Sequence, residues 1–390
     1  MSSLTGNTKR VVSVDILRGI VMVIMALDHA RDYFSNYKLD PLDLTHTTTA
    51  LFLTRWITHF CAPVFVFLAG TSAFLSFSKG RTKGEISKLL FTRGIWLIIL
   101  ELTIVRFGWM FNVDYSLVFV QVIWAIGWSM IFLAGLCYLP VSIIAIIGFI
   151  IVFGHNALDT IHTNSFGSNG YLWNVIHEQG PIQYGNKDVL FVLYPLIPWI
   201  GVMALGYCFG GIVRKPEKER NKWLYTIGFG AIALFIILRW SNVYGDPFPW
   251  QRQTTVVKNI LAFIKCQKYP PSLLYLLMTL GPAIASMPLL EKMSNGIGSF
   301  FTVYGRVPMF YYILHIYLLH SMALITGVIM GFPTSTFTDN GALFSPATNW
   351  GFPLAIVYIY WISTVLMLYY PCRWFMQVKQ TNKSWWLSYL

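Results

Sequence analysis

Long apolar runs, separated by short polar or aromatic-rich connections, fill this chain from residue 12 to residue 371. A helix that spans a bilayer needs about 20 mostly apolar residues. Ten stretches approach or exceed that length: roughly 12–34, 50–78, 94–112, 115–135, 138–154, 188–212, 224–241, 272–290, 304–330 and 351–371. In hydrocarbon each backbone N–H and C=O must be satisfied within the structure, so such runs read as helices. The two-residue alternation of an outer-membrane strand is absent from them. The pattern predicts an all-α polytopic membrane protein, a single domain over 1–390 with about ten transmembrane helices.

Composition supports this reading and removes the alternatives. The 390 residues are 56% hydrophobic and only 11% charged, less than half the roughly 25% charge of soluble domains. A water-soluble globule would have no place for that apolar area. The balance of 28 Lys+Arg against 16 Asp+Glu would suit a nucleic-acid partner in a soluble chain. Its placement points instead to membrane topology and to no nucleic acid. With a cytosolic N-terminus, 16 basic residues fall in inner loops (Lys9, Arg10, Lys79, Arg81, Lys83, Lys88, Arg93, Arg214, Lys215, Lys218, Arg220, Lys222, Lys292, Arg373, Lys379, Lys383). Seven fall in outer ones (Arg31, Lys38, Lys187, Arg252, Lys258, Lys265, Lys268). Basic residues accumulate in cytosolic loops, so both termini are expected in the cytosol. Lys9 and Arg10 ahead of the first apolar run resemble a signal peptide, but Asp15, Arg18, Asp28 and His29 interrupt that run and no small-x-small cleavage site follows. It reads as a retained first helix. The five cysteines are scattered, without a C-x-x-C pair, and read as packing residues.

Charged side chains inside a span are costly and mark function by default. They crowd into the first helix (Asp15, Arg18, Asp28, His29, Arg31, Asp32), with Arg55 and His59 on the second, Glu101 and Arg106 on the third and Arg306, His315 and His320 on the ninth. Arg18 and His29 are eleven residues apart, close to three turns, so they share a face about 16 Å apart along the axis. A cation in the cytosolic half and an imidazole towards the far side suit an elongated anionic cofactor such as coenzyme A, or a polyprenyl phosphate. Structural readings stand beside this: Asp15 and Arg18 as an i, i+3 pair, membrane histidines as helix–helix hydrogen bonds, Glu101 with Arg106 as a pair, and Arg239 snorkelling to the outer interface. Three outer loops, about 155–187, 242–271 and 332–350, are long enough to cover a site. The first holds His155, His162 and His177, whose spacings make no metal site by themselves, and no metal is expected.

The segments Ser13-Val14-Asp15-Ile16-Leu17-Arg18-Gly19-Ile20, Asp28-His29-Ala30-Arg31-Asp32 and Thr58-His59-Phe60-Cys61-Ala62-Pro63 through Phe67-Leu68-Ala69-Gly70 resemble the catalytic-domain family of heparan-α-glucosaminide N-acetyltransferase, within the wider transmembrane acyltransferases. The match covers about residues 11–78, with weaker echoes at Pro195–Trp199 and Gly305-Arg306-Val307-Pro308. The resemblance implies transfer of an acetyl group from cytosolic acetyl-CoA, as co-substrate, to an amine or hydroxyl of an amino sugar or glycan on the far side, in a bacterial inner membrane. The heparan enzymes carry asparagine at the place of His29 and a later histidine, which by chain order corresponds to His46. No counterpart of their lumenal domain precedes the first helix here, so a bacterial-type acceptor is expected rather than heparan.

On this reading His29 is the general base, its imidazole titrating near neutrality, or accepts the acetyl group covalently. Asp28 or Asp32 orients its ring. Arg18 and Arg306 bind CoA phosphates through guanidinium forks. His59, His46, Arg55 and His315 are candidates for the acceptor site. Besides acetyl-CoA, acceptor and bilayer, a second copy of the chain is a candidate partner. The rival reading is a proton-coupled transporter, since intramembrane acids and histidines also build proton relays. Such folds often repeat interrupted helices in matching halves, and no counterpart of helices 1 and 2 recurs later. A scaffold role would leave the charges of the first helix unexplained.

Overall fold

In a computed structural model of the chain, which describes residues 11–77, 80–185, 187–293, 295–340, 347, 349–382, 384 and 387, each expected apolar segment contains a helix. Lys9, Arg10, Lys79 and Lys383, counted above on the inner side, lie outside the described residues, as do 341–346 and 348 of the third outer loop. Among the described residues, seven helices are long and apolar enough to cross a membrane: Thr49–Ser76, Val141–Leu158, Leu196–Val213, Glu217–Ser241, Leu273–Lys292, Pro308–Ile329 and Leu354–Thr381. The chain is mostly helical and is an integral membrane protein.

Helix α1 (Val12–Phe34) runs through the middle. Ile16, Ala26, Ala30 and Phe34 are all fully buried, as expected of a helix whose neighbours surround it. Next come α2 (Thr49–Ile57) and α3 (Cys61–Phe77), joined by a 3-10 turn, Thr58–Phe60. Helix α4 (Lys83–Leu100) starts on a capping box: Glu85 N–H donates to Thr82 Oγ1 (3.2 Å) and Thr82 N–H to Glu85 Oε2 (2.7 Å). It therefore begins eleven residues before the expected span, and Arg93, assigned to an inner loop, lies within it. A π-helical turn, Glu101–Val105, leads into α5 (Arg106–Met110).

Two expected helical spans begin as strands. β1 (Val118–Val120) precedes α6 (Val122–Leu136); after α7 (Val141–Gly154) and α8 (Gly170–Ile176) come β2 (Gly180–Tyr184) and β3 (Lys187–Val192). β3 is central, parallel to β1 and antiparallel to β2. Short runs such as Val118-Phe119-Val120 do not distinguish strand from buried helix by periodicity, so the hydrophobic pattern merges them with the adjoining spans. The chain leaves β3 through Pro195 into α9 (Leu196–Val213).

α10 (Glu217–Ser241), α11 (Val256–Ile264), α12 (Leu273–Lys292), α13 (Ile297–Arg306), α14 (Pro308–Ile329), the one-turn α15 (Ser335–Thr338) and α16 (Leu354–Thr381) complete the chain. The expected 304–330 helix is thus two, broken at Val307 because Pro308 cannot donate a backbone hydrogen bond and starts a new helix instead. α1 and α13 press together backbone to backbone. A Cβ on Gly19 would lie 1.8 Å from Phe301 O, and one on Gly305 would lie 1.9 Å from Asp15 O. Only glycine permits that approach, and it sets Arg306 beside Asp15. Helices α7, α10 and α16 turn Ile146, Ile150, Ile237 and Ile359 outward, an apolar surface suited to lipid.

Three charged residues do not behave as their sequence context predicts. Glu101 and Arg106 do not pair. Glu101 accepts from Trp124 N–H (3.3 Å), whereas Arg106 donates to the carbonyls of Asn112 and Asp114 and to Asn340 Oδ1. Nor does Arg239 snorkel: it is 2% exposed and donates to the carbonyls of Phe263, Phe248, Ala262 and Lys265 at 2.9, 2.9, 3.1 and 2.5 Å. It ties together the loop after α10. Two of those carbonyls, Ala262 and Phe263, are at the end of α11 and two, Phe248 and Lys265, lie in the loops around it, a long-range arrangement that sequence periodicity does not report.

Candidate functional site

Two cavities meet inside the helical body. One, of about 230 Å³, is lined by Arg18, Met22, Ser72, Ser76, Arg93 and apolar side chains from α3, α4 and α6. The other, of about 340 Å³, is lined by Asp28, His29, Arg31, Asp32, Arg55 and Lys268 with aromatic residues. Met25, Phe65, Val122 and Tyr312 line both and form the waist between them. The eleven-residue spacing on α1 therefore sets Arg18 on one cavity and His29 on the other.

The His29 ring is held by α14. Its Nδ1 lies 2.7 Å from His315 Nε2, the two rings stack with centroids 4.9 Å apart, and Trp109 packs edge-on at 4.7 Å. His315 Nδ1 is 2.9 Å from Tyr311 O. A backbone carbonyl can only accept, so His315 carries its proton on Nδ1. In the neutral pair its Nε2 then accepts from His29 Nδ1–H, which leaves the lone pair of His29 on Nε2. The ring is oriented and its outer nitrogen can take a proton. His315, expected among acceptor ligands, lies against His29 through this contact.

The carboxylates expected to orient His29 are engaged elsewhere. Asp28 accepts from Arg55 Nη1 through both oxygens (2.7 and 2.5 Å), pairs with Arg31 at 2.8 Å, and has Lys268 Nζ at 4.0 Å. Asp32 pairs with Arg31 at 2.5 Å. Three cations and two carboxylates leave this cluster one positive charge in excess, and the contacts of both acids run to these cations and not to the imidazole. Nearby, burial raises the Tyr269 phenol, but Lys268 and Arg55 outweigh it and hold the group below the usual tyrosine range. The sheet contributes to the same cavity, since Gln121 follows β1 while Leu193 and Tyr194 follow β3.

At the other end, Arg18 donates to Ser72 Oγ (2.6 Å) and Gly305 O (3.3 Å) and pairs with Asp15 at 3.7 Å, the i, i+3 contact expected of them. Arg306 lies 3.5 Å from the same Asp15. It is absent from the lining of the Arg18 cavity, where Arg93 stands instead. His59 is fully buried, 5.2 Å from the Tyr275 ring, and borders a separate cavity behind Arg55. His46 is exposed on the loop before α2, 2.7 Å from Asp43 Oδ2, and lines neither of the two meeting cavities. The structure thus brings together His29, His315, Asp28, Asp32 and Arg55, joins Arg18 to them through the waist, and leaves His46, His59 and Arg306 aside.

Sequence reasoning missed Arg93, Lys268 and Tyr312. Arg93 had one usable signal, the capping box that starts α4 early enough to carry it along the helix to the Arg18 cavity. No curated protein matches the chain. The family model described as heparan-alpha-glucosaminide N-acetyltransferase, catalytic, matches residues 10–242, more than half of the chain and all of α1 to α10, and the chain belongs to this family of membrane acetyltransferases.

Proposed function

We propose that the protein moves an acetyl group from acetyl-CoA, arriving from the cytosolic side, to an amine or hydroxyl of an amino sugar or glycan held on the extracytoplasmic side of a bacterial inner membrane. The observation that carries this reading is the pair of cavities meeting at Met25, Phe65, Val122 and Tyr312, with His29 bordering the outer one. The topology proposed with it has ten helices crossing the bilayer and both termini cytosolic, supported by the excess of basic residues on the inner side, which persists when Arg93 is set aside.

In this reaction Arg18 and Arg93 hold CoA phosphates, and the uncharged arm runs along the apolar cavity to the waist. The acceptor sits among Asp28, Asp32, Arg31, Arg55 and Lys268. Its amine or hydroxyl attacks the thioester carbonyl and gives its proton to His29 Nε2, and the C–S bond breaks. The CoA thiolate leaves and takes that proton, so the imidazole returns to its starting state. His29 and the acceptor cluster line the same cavity, which favours direct transfer over an acetyl-histidine. A neutral imidazole near physiological pH suits this base role.

The test is acetyl transfer by the purified full-length protein in lipid, with radiolabelled acetyl-CoA and glucosamine-type acceptors. Label on the acceptor and stoichiometric release of CoA are expected. Neither binding nor consumption of acetyl-CoA with any amine or hydroxyl acceptor would overturn the reading. In inside-out vesicles, label is expected to enter the lumen only when acetyl-CoA is supplied outside.

A further inference from the structure

A second group of chemistry-bearing side chains lies on the loops beyond α7. His155 follows the last residue of α7, Asp159 lies one turn on, and His177 follows the end of α8. Separated in the chain, they converge in space: one ligand atom from each lies within 4.8 Å of the others. His177 Nε2 is 3.1 Å from Asp159 Oδ1. That is about the edge, roughly 3.3 Å, of a tetrahedron with metal bonds of about 2.0–2.1 Å.

Both histidines are 2% exposed. Nδ1 and Nε2 of His155, and Nδ1 of His177, have no hydrogen-bond partner among the described residues. Buried ring nitrogens without partners are rare and costly, and each calls for a physical explanation. The surroundings are organised. Asp159 Oδ2 accepts from Asn156 Nδ2 (2.7 Å), and Asn156 Oδ1 accepts from Leu273 N–H at the start of α12 (2.8 Å). Trp173 packs 5.2 Å from His177 and donates to Ile161 O (2.8 Å). A cavity of about 390 Å³, lined in part by Asp159, His177 and Tyr269, gives access.

We propose that His155, Asp159 and His177 bind one divalent transition-metal ion, with zinc the preferred occupant. Two imidazoles and one carboxylate are the donors zinc favours, whereas calcium and magnesium require more oxygen ligands. A buried imidazole would exchange its missing hydrogen bond for a metal bond, and Asn156 would orient the ligating carboxylate in the manner of an outer-shell partner. The ion clamps the loop between α7 and α8 to the end of α7 and, through Asn156, to α12. Tyr269 lines both this cavity and that of His29, so the clamp stiffens the wall between them. Its role is structural and independent of the acetyl-transfer reading.

The experiment uses the full-length protein with its affinity tag removed, stripped by chelator and titrated with Co²⁺ and then Zn²⁺. One Co²⁺ per chain, with the visible absorption of a low-coordinate site, is expected. One equivalent of Zn²⁺ should displace it and raise the Tm. His155→Ala and Asp159→Asn should each weaken binding by at least tenfold, while His162→Ala and His46→Ala leave it unchanged. A wild-type protein that takes up neither ion stoichiometrically overturns the proposal without need of any variant. So does Co²⁺ binding that survives in folded His155→Ala and Asp159→Asn but disappears in His46→Ala.

Discussion

The two cavities that meet at Tyr312 are built from opposite materials. Around Arg18 the wall is almost wholly aliphatic and aromatic, with Arg18 and Arg93 as its charged members. Around His29 six charged side chains share the wall, and five of them form a network centred on Asp28 with one positive charge in excess. An apolar channel with few cations suits a long, mostly uncharged arm whose phosphates stay at its mouth. A crowded polar chamber suits a ligand that presents many hydroxyls and must be oriented. Both compartments border one helix, α1, so the eleven residues between Arg18 and His29 fix the distance between where the donor is gripped and where its acyl group reacts.

If the outer chamber is the place of chemistry, the largest effect belongs to His29. His29→Asn retains size and some hydrogen bonding, so fold and acetyl-CoA affinity should persist while kcat falls about 10²–10⁴-fold, the usual contribution of a general base. Calorimetric titration of acetyl-CoA beside turnover separates the two quantities. Near-normal turnover in this variant would place the chemistry elsewhere.

His315 should rank second, because it acts through His29. His315→Phe keeps a ring against His29 but removes the acceptor for its Nδ1–H. The freed imidazole can rotate, and misplacement by about an ångström can cost about 10²-fold in rate. KM for both substrates should be nearly unchanged. His315→Gln, which restores an acceptor oxygen, should recover part of kcat. A packing role alone would instead give Phe the better activity of the two.

Much of this division was legible in the chain, and the parts that were not share a cause. The helix 1 stripe, the Arg18–His29 spacing and the Asp15–Arg18 pair follow from positions on a single helix, where periodicity fixes neighbours. The partner of His29 is 286 residues away, and no local pattern reports such a contact. Asp28 looked available beside His29, but Arg55 and Lys268 reach it from α2 and from the loop before α12, and two cations outcompete a neutral ring for a carboxylate. Arg306 is expected at the donor because it lies in the cytosolic half of its predicted span. Its neighbour Gly305 instead lets α13 come so close to α1 that Arg306 is drawn to Asp15. Arg239 failed the other way, since a cation near a helix end resembles a snorkelling residue until the carbonyls of the folded loop and of the end of α11 surround it.

The smallest effect tests the apolar side of the comparison. Arg18 is partly buried and already donates to Ser72 and Gly305, so its grip on a phosphate adds to existing bonds instead of satisfying an empty fork. A charge-assisted hydrogen bond to an ionised group contributes about 1.5–3 kcal/mol; the lower end applies to this half-open position, with Arg93 retained as a second cation. Arg18→Ala should therefore raise KM for acetyl-CoA about tenfold, since about 1.4 kcal/mol corresponds to a factor of ten, and leave kcat within a few-fold. Arg18→Lys should restore part of the loss, because a point charge cannot reproduce the guanidinium fork. The distinguishing measurement is the affinity for desulfo-CoA, which keeps the phosphates, set against that for a pantetheine thioester, which lacks them. The variant should lose affinity for the first and not for the second. Equal losses would mean that Arg18 shapes the cavity wall through Ser72 and Gly305, and that the phosphates are held by other residues.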